Sequence, residues 1–233
     1  MATKTHILAG DPPIEVALKR NARARRFTLR VSKSSGTVSL SLPIHAPETE
    51  ALEFLAERAG WVRKHLNAAP EIQRPAIGIS FPLLGADRAV VAGSGRSARF
   101  LDGRIVMPEN GRAGPLMGTL LKSMAREALV ARCDHHAARL GRPFGRITLR
   151  DTRSRWGSCS TRGDLMFSWR LIMAPPEVLN YVAAHEVAHL AEMNHSPAFW
   201  AACEDLCPAY QAPRRWLRAH GAALQAWRFD SLP

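Results

Sequence analysis

Cysteine is scarce in this 233-residue chain, and the four present, Cys133, Cys159, Cys203 and Cys207, form no CxxC pair. So few thiols exclude a disulfide scaffold, and they lack the matched spacings that a cysteine-built structural zinc site needs. They are read as reduced, and Cys203 and Cys207, four apart on one helix face, are read as core. Long apolar runs are missing too. The best stretch, "GPLMGTLLKSMAREALVARC", is broken by Lys122, Arg126 and Glu127, well short of the ~20 apolar residues a membrane span takes. The start, "MATKTHILAGDPP", has no apolar core of secretory-leader length. The expectation is a soluble cytoplasmic protein with no membrane partner. Acid is in deficit: 20 Asp and Glu against 32 Lys and Arg give a formal net charge of +12. Such a surface attracts anions, whether nucleic acid, nucleotides or acidic proteins, and charge alone does not choose among them. No P-loop, low-complexity tract or internal repeat is evident.

What is present suggests an α+β protein. "IEVALKR", "RRFTLRV" and "TVSLSL" read as strands, the last two joined by the hairpin loop "SKSSG". "APETEALEFLAERAGWVRKHL" reads as one amphipathic helix burying Leu52, Leu55, Trp61 and Val62. After a connector over residues 68–75 come four more short strands, "ISFPLLG", "RAVVAG", "ARFLDG" and "RIVMPE". A long helix is expected over about residues 116–140, then strands at "RITLRD" and "DLMFSWRLIM" around the loop "TRSRWGSCSTRG", and helices to the end. This divides the chain into a β-rich basic N-terminal region, residues 1–112, and an α+β C-terminal domain, residues 113–233, that carries the histidines of interest.

The chemistry is concentrated in "AAHEVAHLAEMNHSPAFW". Pro175 and Pro176 fit a helix start, and the following apolar positions run nearly all round, so this helix is buried. Polar groups there need partners. His185 and His189 stand one turn apart and can aim two imidazole nitrogens at one ion, with Glu186 beside them where a carboxylate reaches a metal-bound water. On a continued helix His195 would lie about 15 Å beyond His185 and about 80° round, out of reach. The helix therefore has to end first. Asn194 is a candidate left-handed cap, and Ser196 and Pro197 are a strong start for another helix. A reversal over residues 193–195 then returns His195 as third ligand and leaves a fourth position open. Glu204 is the competing third ligand.

Two further stretches carry candidate binding residues. In "RSRWGSCS", Arg153 and Arg155 can hold an anionic substrate or developing charge, while Trp156, Gly157 and Ser158 can form a tight turn shaping the cleft. The plainer alternative has Trp156 in the core and the arginines paired with Glu192 or Asp164. The strand at Leu165 to Leu171 can offer an edge to an extended peptide. Near the start, Lys19, Arg20, Arg23, Arg25, Arg26, Arg30 and Lys33 follow one another with no acid between. They form either a solvated strand face or a surface for a polyanion such as DNA, RNA or a nucleotide.

"RARRFTLRV", "RSRWGSCS" and "SWRLIMAPPEVLNYVAAHEVAHLAEMNHSPAFW" together resemble the YgjP-like metallopeptidases, relatives of the SprT-like proteases, over about residues 16–216. Ser168 and Val187 depart from the family pattern, where Asn and Leu are commoner. The resemblance implies a small gluzincin-like catalytic fold, Zn2+ held by His185, His189 and His195, Glu186 as catalytic base, and a peptide or protein substrate. Two other functions remain open on the residues: a metal-dependent nucleoside triphosphate hydrolase, and a non-enzymatic nucleic-acid-binding protein with a structural zinc.

Overall fold

The computed structural model describes residues 4–32, 36–67, 70–109 and 112–230. Lys33 and most of the "SKSSG" loop lie outside the described residues. The chain forms two compact units, residues 1–72 and residues 73–233.

The first unit is a four-stranded sheet with two helices. Strands β1 (Lys4–Leu8), β2 (Ile14–Asn21), β3 (Thr28–Val31) and β4 (Val38–Pro43) take the order β1-β2-β4-β3. The central pair, β2 and β4, is parallel and the outer pairs are antiparallel. Its register sets Val16 beside Val38 and Leu18 beside Leu40. The period-2 pattern thus puts Ile14, Val16, Leu18, Val38, Leu40 and Leu42 on one buried face, each side chain contributing about 1.5–3 kcal/mol. Ala51 and Leu55 of α1 (Glu48–Glu57) and Val62 of α2 (Ala59–Asn67) complete this core. The expected single helix is therefore two. The break at Arg58 shifts the phase of the apolar stripe, so Val62 is buried while Trp61 is 43% exposed.

The second unit begins with another four-stranded sheet: β5 (Ser80–Leu83), β6 (Ala86–Ala92), β7 (Arg99–Leu101) and β8 (Arg104–Met107) in the order β5-β6-β8-β7. Again the central pair is parallel and the outer pairs antiparallel. The topology of the first unit is thus repeated, although no repeat is visible in the sequence. Helix α3 (Ala113–Leu140) follows and ends at Gly141, whose φ of 69° is a left-handed cap. Phe81, Leu83, Val90, Ile105 and Met107 share one core with Met117, Leu121, Ala125 and Leu129 of α3. The division of the chain consequently falls after Ile72, whereas the sequence reading placed it after residue 112.

The same core carries the site-bearing elements. Strands β9 (Ile147–Arg150), β10 (Gly157–Cys159) and β11 (Leu165–Ser168) form a sheet of order β10-β11-β9. The strand expected over residues 164–173 stops at Ser168, and Trp169–Met173 make a 3-10 turn instead. That turn is anchored by Arg170, 4% exposed, which pairs with Asp151 and donates to the carbonyls of Leu224 and Trp227 at 2.8 and 2.9 Å. Helices α4 (Pro176–Ala188), α5 (Pro197–Leu206) and α6 (Gln211–Ala226) close the unit, and α4 packs on α3, α5, α6 and β10.

Candidate metal centre

Helix α4 carries His185 and Glu186, and His189 is its C-cap. Pro176 opens the helix, and its residues are buried almost all round, with Val182, Ala183, Ala184, Val187 and Ala188 at most 4% exposed. After His189 the chain turns and α5 begins at Pro197. The Ser196 hydroxyl accepts from the Phe199 N–H at 3.3 Å, the expected N-cap. Asn194 works differently from expectation. Its backbone is not left-handed, and its side-chain oxygen accepts from the Ser196 N–H at 3.0 Å. The reversal is made by that side-chain turn.

This brings His185, His189 and His195 together, with one ring nitrogen of each lying within 4.8 Å of the others. The Nε2 atoms of His185 and His195 are 3.1 Å apart. Two nitrogens bound tetrahedrally to one zinc at ~2.05 Å would stand ~3.4 Å apart. His189 donates from Nδ1 to the Glu192 carbonyl at 2.9 Å, which fixes its tautomer and leaves Nε2 as a bare lone pair. Burial, followed by the neighbouring His189 and His195, pushes His185 down to about 3. It stays neutral, the form that ligates. Burial likewise lowers His189, against the opposing Glu192 hydrogen bond. The donor set fits a borderline-soft divalent metal. Glu204 is exposed and outside this group.

The three rings gather on Phe199, 0% exposed, whose ring centre lies 4.4 Å from His189, 4.8 Å from His195 and 4.9 Å from His185. Trp200 flanks His195 and His185 at 5.7 and 5.8 Å, and the Arg214 guanidinium sits over Trp200 at 4.4 Å. Sequence reasoning missed Phe199 and Arg214. The Ser196 cap marks a helix start three residues before Phe199, but neither it nor anything else local marks Phe199 or Arg214 as neighbours of the triad.

Glu186 is 5% exposed. Burial raises it to about 8, partly offset by the Arg155 guanidinium. Arg155 is thus placed where its charge reaches the carboxylate, and it is exposed. Arg153 is exposed also, and Trp156 is half-buried against Gly221 of α6. Asp164, one of the acids considered for these arginines, pairs with Arg146. Residues 157–159 form β10 rather than a turn. With β10 and β9 on either side, β11 is the central strand, so the free edge nearest α4 belongs to β10. Cys159 is raised to about 11 by burial and then by Glu186, so it is a protonated thiol and no nucleophile. A cavity of about 670 Å³ lies at the other end of α4, lined by Arg132, His136, Asn180 and Trp216 among others, and no triad residue lines it.

A family model described as the YgjP-like metallopeptidase domain matches residues 25–220. The chain belongs to the YgjP-like metallopeptidase family. No curated protein matches it. Among solved structures, the metallopeptidase zymogen abylysin of Pyrococcus abyssi is similar to 39% of this chain and 93% of its own. The identity is 22% and the TM-score 0.35, too slight a likeness to carry an argument. Family membership makes this YgjP-like protein a metallopeptidase, and the histidine triad is its candidate metal site.

Proposed function

We propose that the protein is a zinc-dependent peptidase in which His185, His189 and His195 hold the metal and Glu186 is the general base. One observation carries the reading: three imidazole nitrogens converge, and the residue that follows the first of these histidines on α4 is a buried carboxylate. Such a carboxylate, raised toward neutrality, is tuned for proton transfer near pH 7. Bound zinc would supply Lewis-acid polarisation of the scissile carbonyl, acidify the attacking water and draw the Glu186 pKa down. The chain's own residues do the rest. Glu186 takes a proton from the attacking water and delivers it to the leaving amine. The Glu192 carbonyl holds the His189 ring in its ligating tautomer. Arg155, exposed beside Glu186, favours substrates that bring negative charge to the cleft. The third ligand in this reading is a histidine, which departs from the glutamate of a gluzincin-like arrangement.

The family agrees with peptide or protein substrates, and among the described residues no helix is long and apolar enough to cross a membrane. The unpaired cysteines suit a reducing cytoplasm. Of the basic run, Lys19, Arg23, Arg25, Arg26 and Arg30 are exposed and available to a polyanion. Arg20 instead donates to the carbonyls of Ile44 and Ala46 at 2.7 and 2.9 Å, a local clamp. The deciding experiment is an activity screen of the zinc-loaded protein on peptides, denatured proteins and nucleoside triphosphates, with and without DNA. Cleavage of peptide bonds supports the proposal; turnover of triphosphates alone replaces it with a phosphohydrolase.

A further inference from the structure

We propose that Gly157 is a positioning residue, which by lacking a side chain fixes where the Glu186 carboxylate sits. The inference rests on Glu186 being the base, as argued above. In the antiparallel pair of β10 and β11, Gly157 stands opposite Phe167 and Cys159 opposite Leu165. Directly opposed residues project to the same side of a sheet, and so do residues two apart on one strand. Gly157, Cys159, Leu165 and Phe167 therefore line one face, and Leu165 and Phe167 are 1% and 0% exposed. Strand β10 packs on α4. In this packed row one side chain is missing, and the end of Glu186 occupies its place. A Cβ added at residue 157 would stand 2.5 Å from Oε1, 2.6 Å from Cγ and 2.7 Å from Cδ of Glu186.

The backbone itself does not ask for glycine here. Gly157 is absent from the positive-φ residues, so alanine can adopt its conformation. The contact alone forbids it. Three consecutive groups of the glutamate are involved, so a methyl there displaces the whole end of the side chain, and the packed interior resists such a shift. A base displaced by about 1 Å from its reacting geometry loses on the order of 100-fold in rate.

A double-mutant cycle tests this with zinc content, kcat and KM as readouts. Gly157→Ala should keep its zinc and lose about 100-fold in kcat, with KM little changed. Glu186→Ala removes Cγ, Cδ and the carboxylate together and so makes room for the new methyl. In that background the Gly157→Ala loss should shrink to less than about 5-fold, because contacting residues are not additive. Equal losses in the two backgrounds, or a parent-level kcat in zinc-loaded Gly157→Ala, overturn the proposal. Where Gly157→Ala accumulates poorly, the same cycle is read in Tm: recovery on adding Glu186→Ala supports the contact, and additive losses overturn it. Glu186→Gln separates the two ideas. An active Glu186→Gln removes the base itself, whereas an inactive Glu186→Gln beside a fully active Gly157→Ala removes only the role of Gly157.

Discussion

The two four-stranded sheets follow one plan, yet they are continued differently, and the candidate metal site lies in the second unit. In the first unit the sheet is followed by helices of 10 and 9 residues, broken at Arg58, which close a small core. In the second the sheet is followed by a 28-residue helix. Its buried stripe runs from Met117 through Leu121, Ala125 and Leu129 to Cys133 and His136, far past what a four-residue strand can cover. The surplus length of α3 gives α4 something to pack on, and α4 carries His185 and Glu186. Similar sheets therefore support different surroundings through the helix that follows them.

The largest effects should appear at the metal centre and nowhere in the first unit. His185→Ala, His189→Ala and His195→Ala should each weaken zinc binding by more than about 100-fold, measured as competition with a chelator, and abolish turnover. Full zinc retention in His195→Ala, with loss in Glu204→Ala, would move the third ligand. Glu186→Gln should keep its zinc and lose about 100- to 10,000-fold in kcat, since an amide accepts no proton.

Core truncations sharpen the contrast between the units. Leu129→Ala and Leu55→Ala, both at fully buried positions, should each cost about 2–5 kcal/mol in denaturant unfolding. Only Leu129→Ala should lower zinc affinity, because Leu129 shares a core with α4 and Leu55 does not. If Leu55→Ala costs as much zinc as Leu129→Ala, the separation of roles fails.

A smaller effect concerns pH in the metal-free protein. Glu186 is raised from 4.5 to about 8, so between these values the folded state binds a proton that the unfolded state has released. Stability should fall as pH rises through that window, by at most about 1.4 kcal/mol per pH unit. His185, lowered from 6.5 to about 3, acts at the other end: the unfolded state takes up the proton first, so stability falls as pH drops below 6.5. Urea titrations from pH 4 to 9 should show the alkaline decline in the parent and not in Glu186→Gln. The smallest effect is expected in the first unit. Replacing Arg23, Arg25 and Arg26 with Ser should reduce the salt slope of duplex-DNA binding by up to roughly 0.9 per lost phosphate contact, leaving zinc content unchanged. An unchanged slope makes this a solvated face.

The order of most strands and helices was legible because alternation and helical periodicity are strong in this chain; β1 and β10 were not, since "KTHIL" is a short edge strand with one buried residue and β10 is three residues inside a stretch that reads as a loop. The meeting of the three histidines follows from a spacing that forces a helix stop, and Ser196 marks the restart. The residue that makes the turn was nameable but its geometry was not: Asn194 acts through its side chain, a choice between two local solutions that spacing does not distinguish. Trp61 and the edge role of β10 went astray for one reason. Each depends on where a neighbouring element breaks or pairs, and that is settled by tertiary packing.

Phe199 adds a kinetic consequence. With three imidazoles seated on one buried phenyl ring, the proposed ligands would be held near their binding pose in advance, so little side-chain entropy would remain to be lost on ion capture. Association of the metal should then be limited by dehydration of the ion rather than by rearrangement of the chain. Trimming Phe199 to leucine should slow capture more than it hastens release.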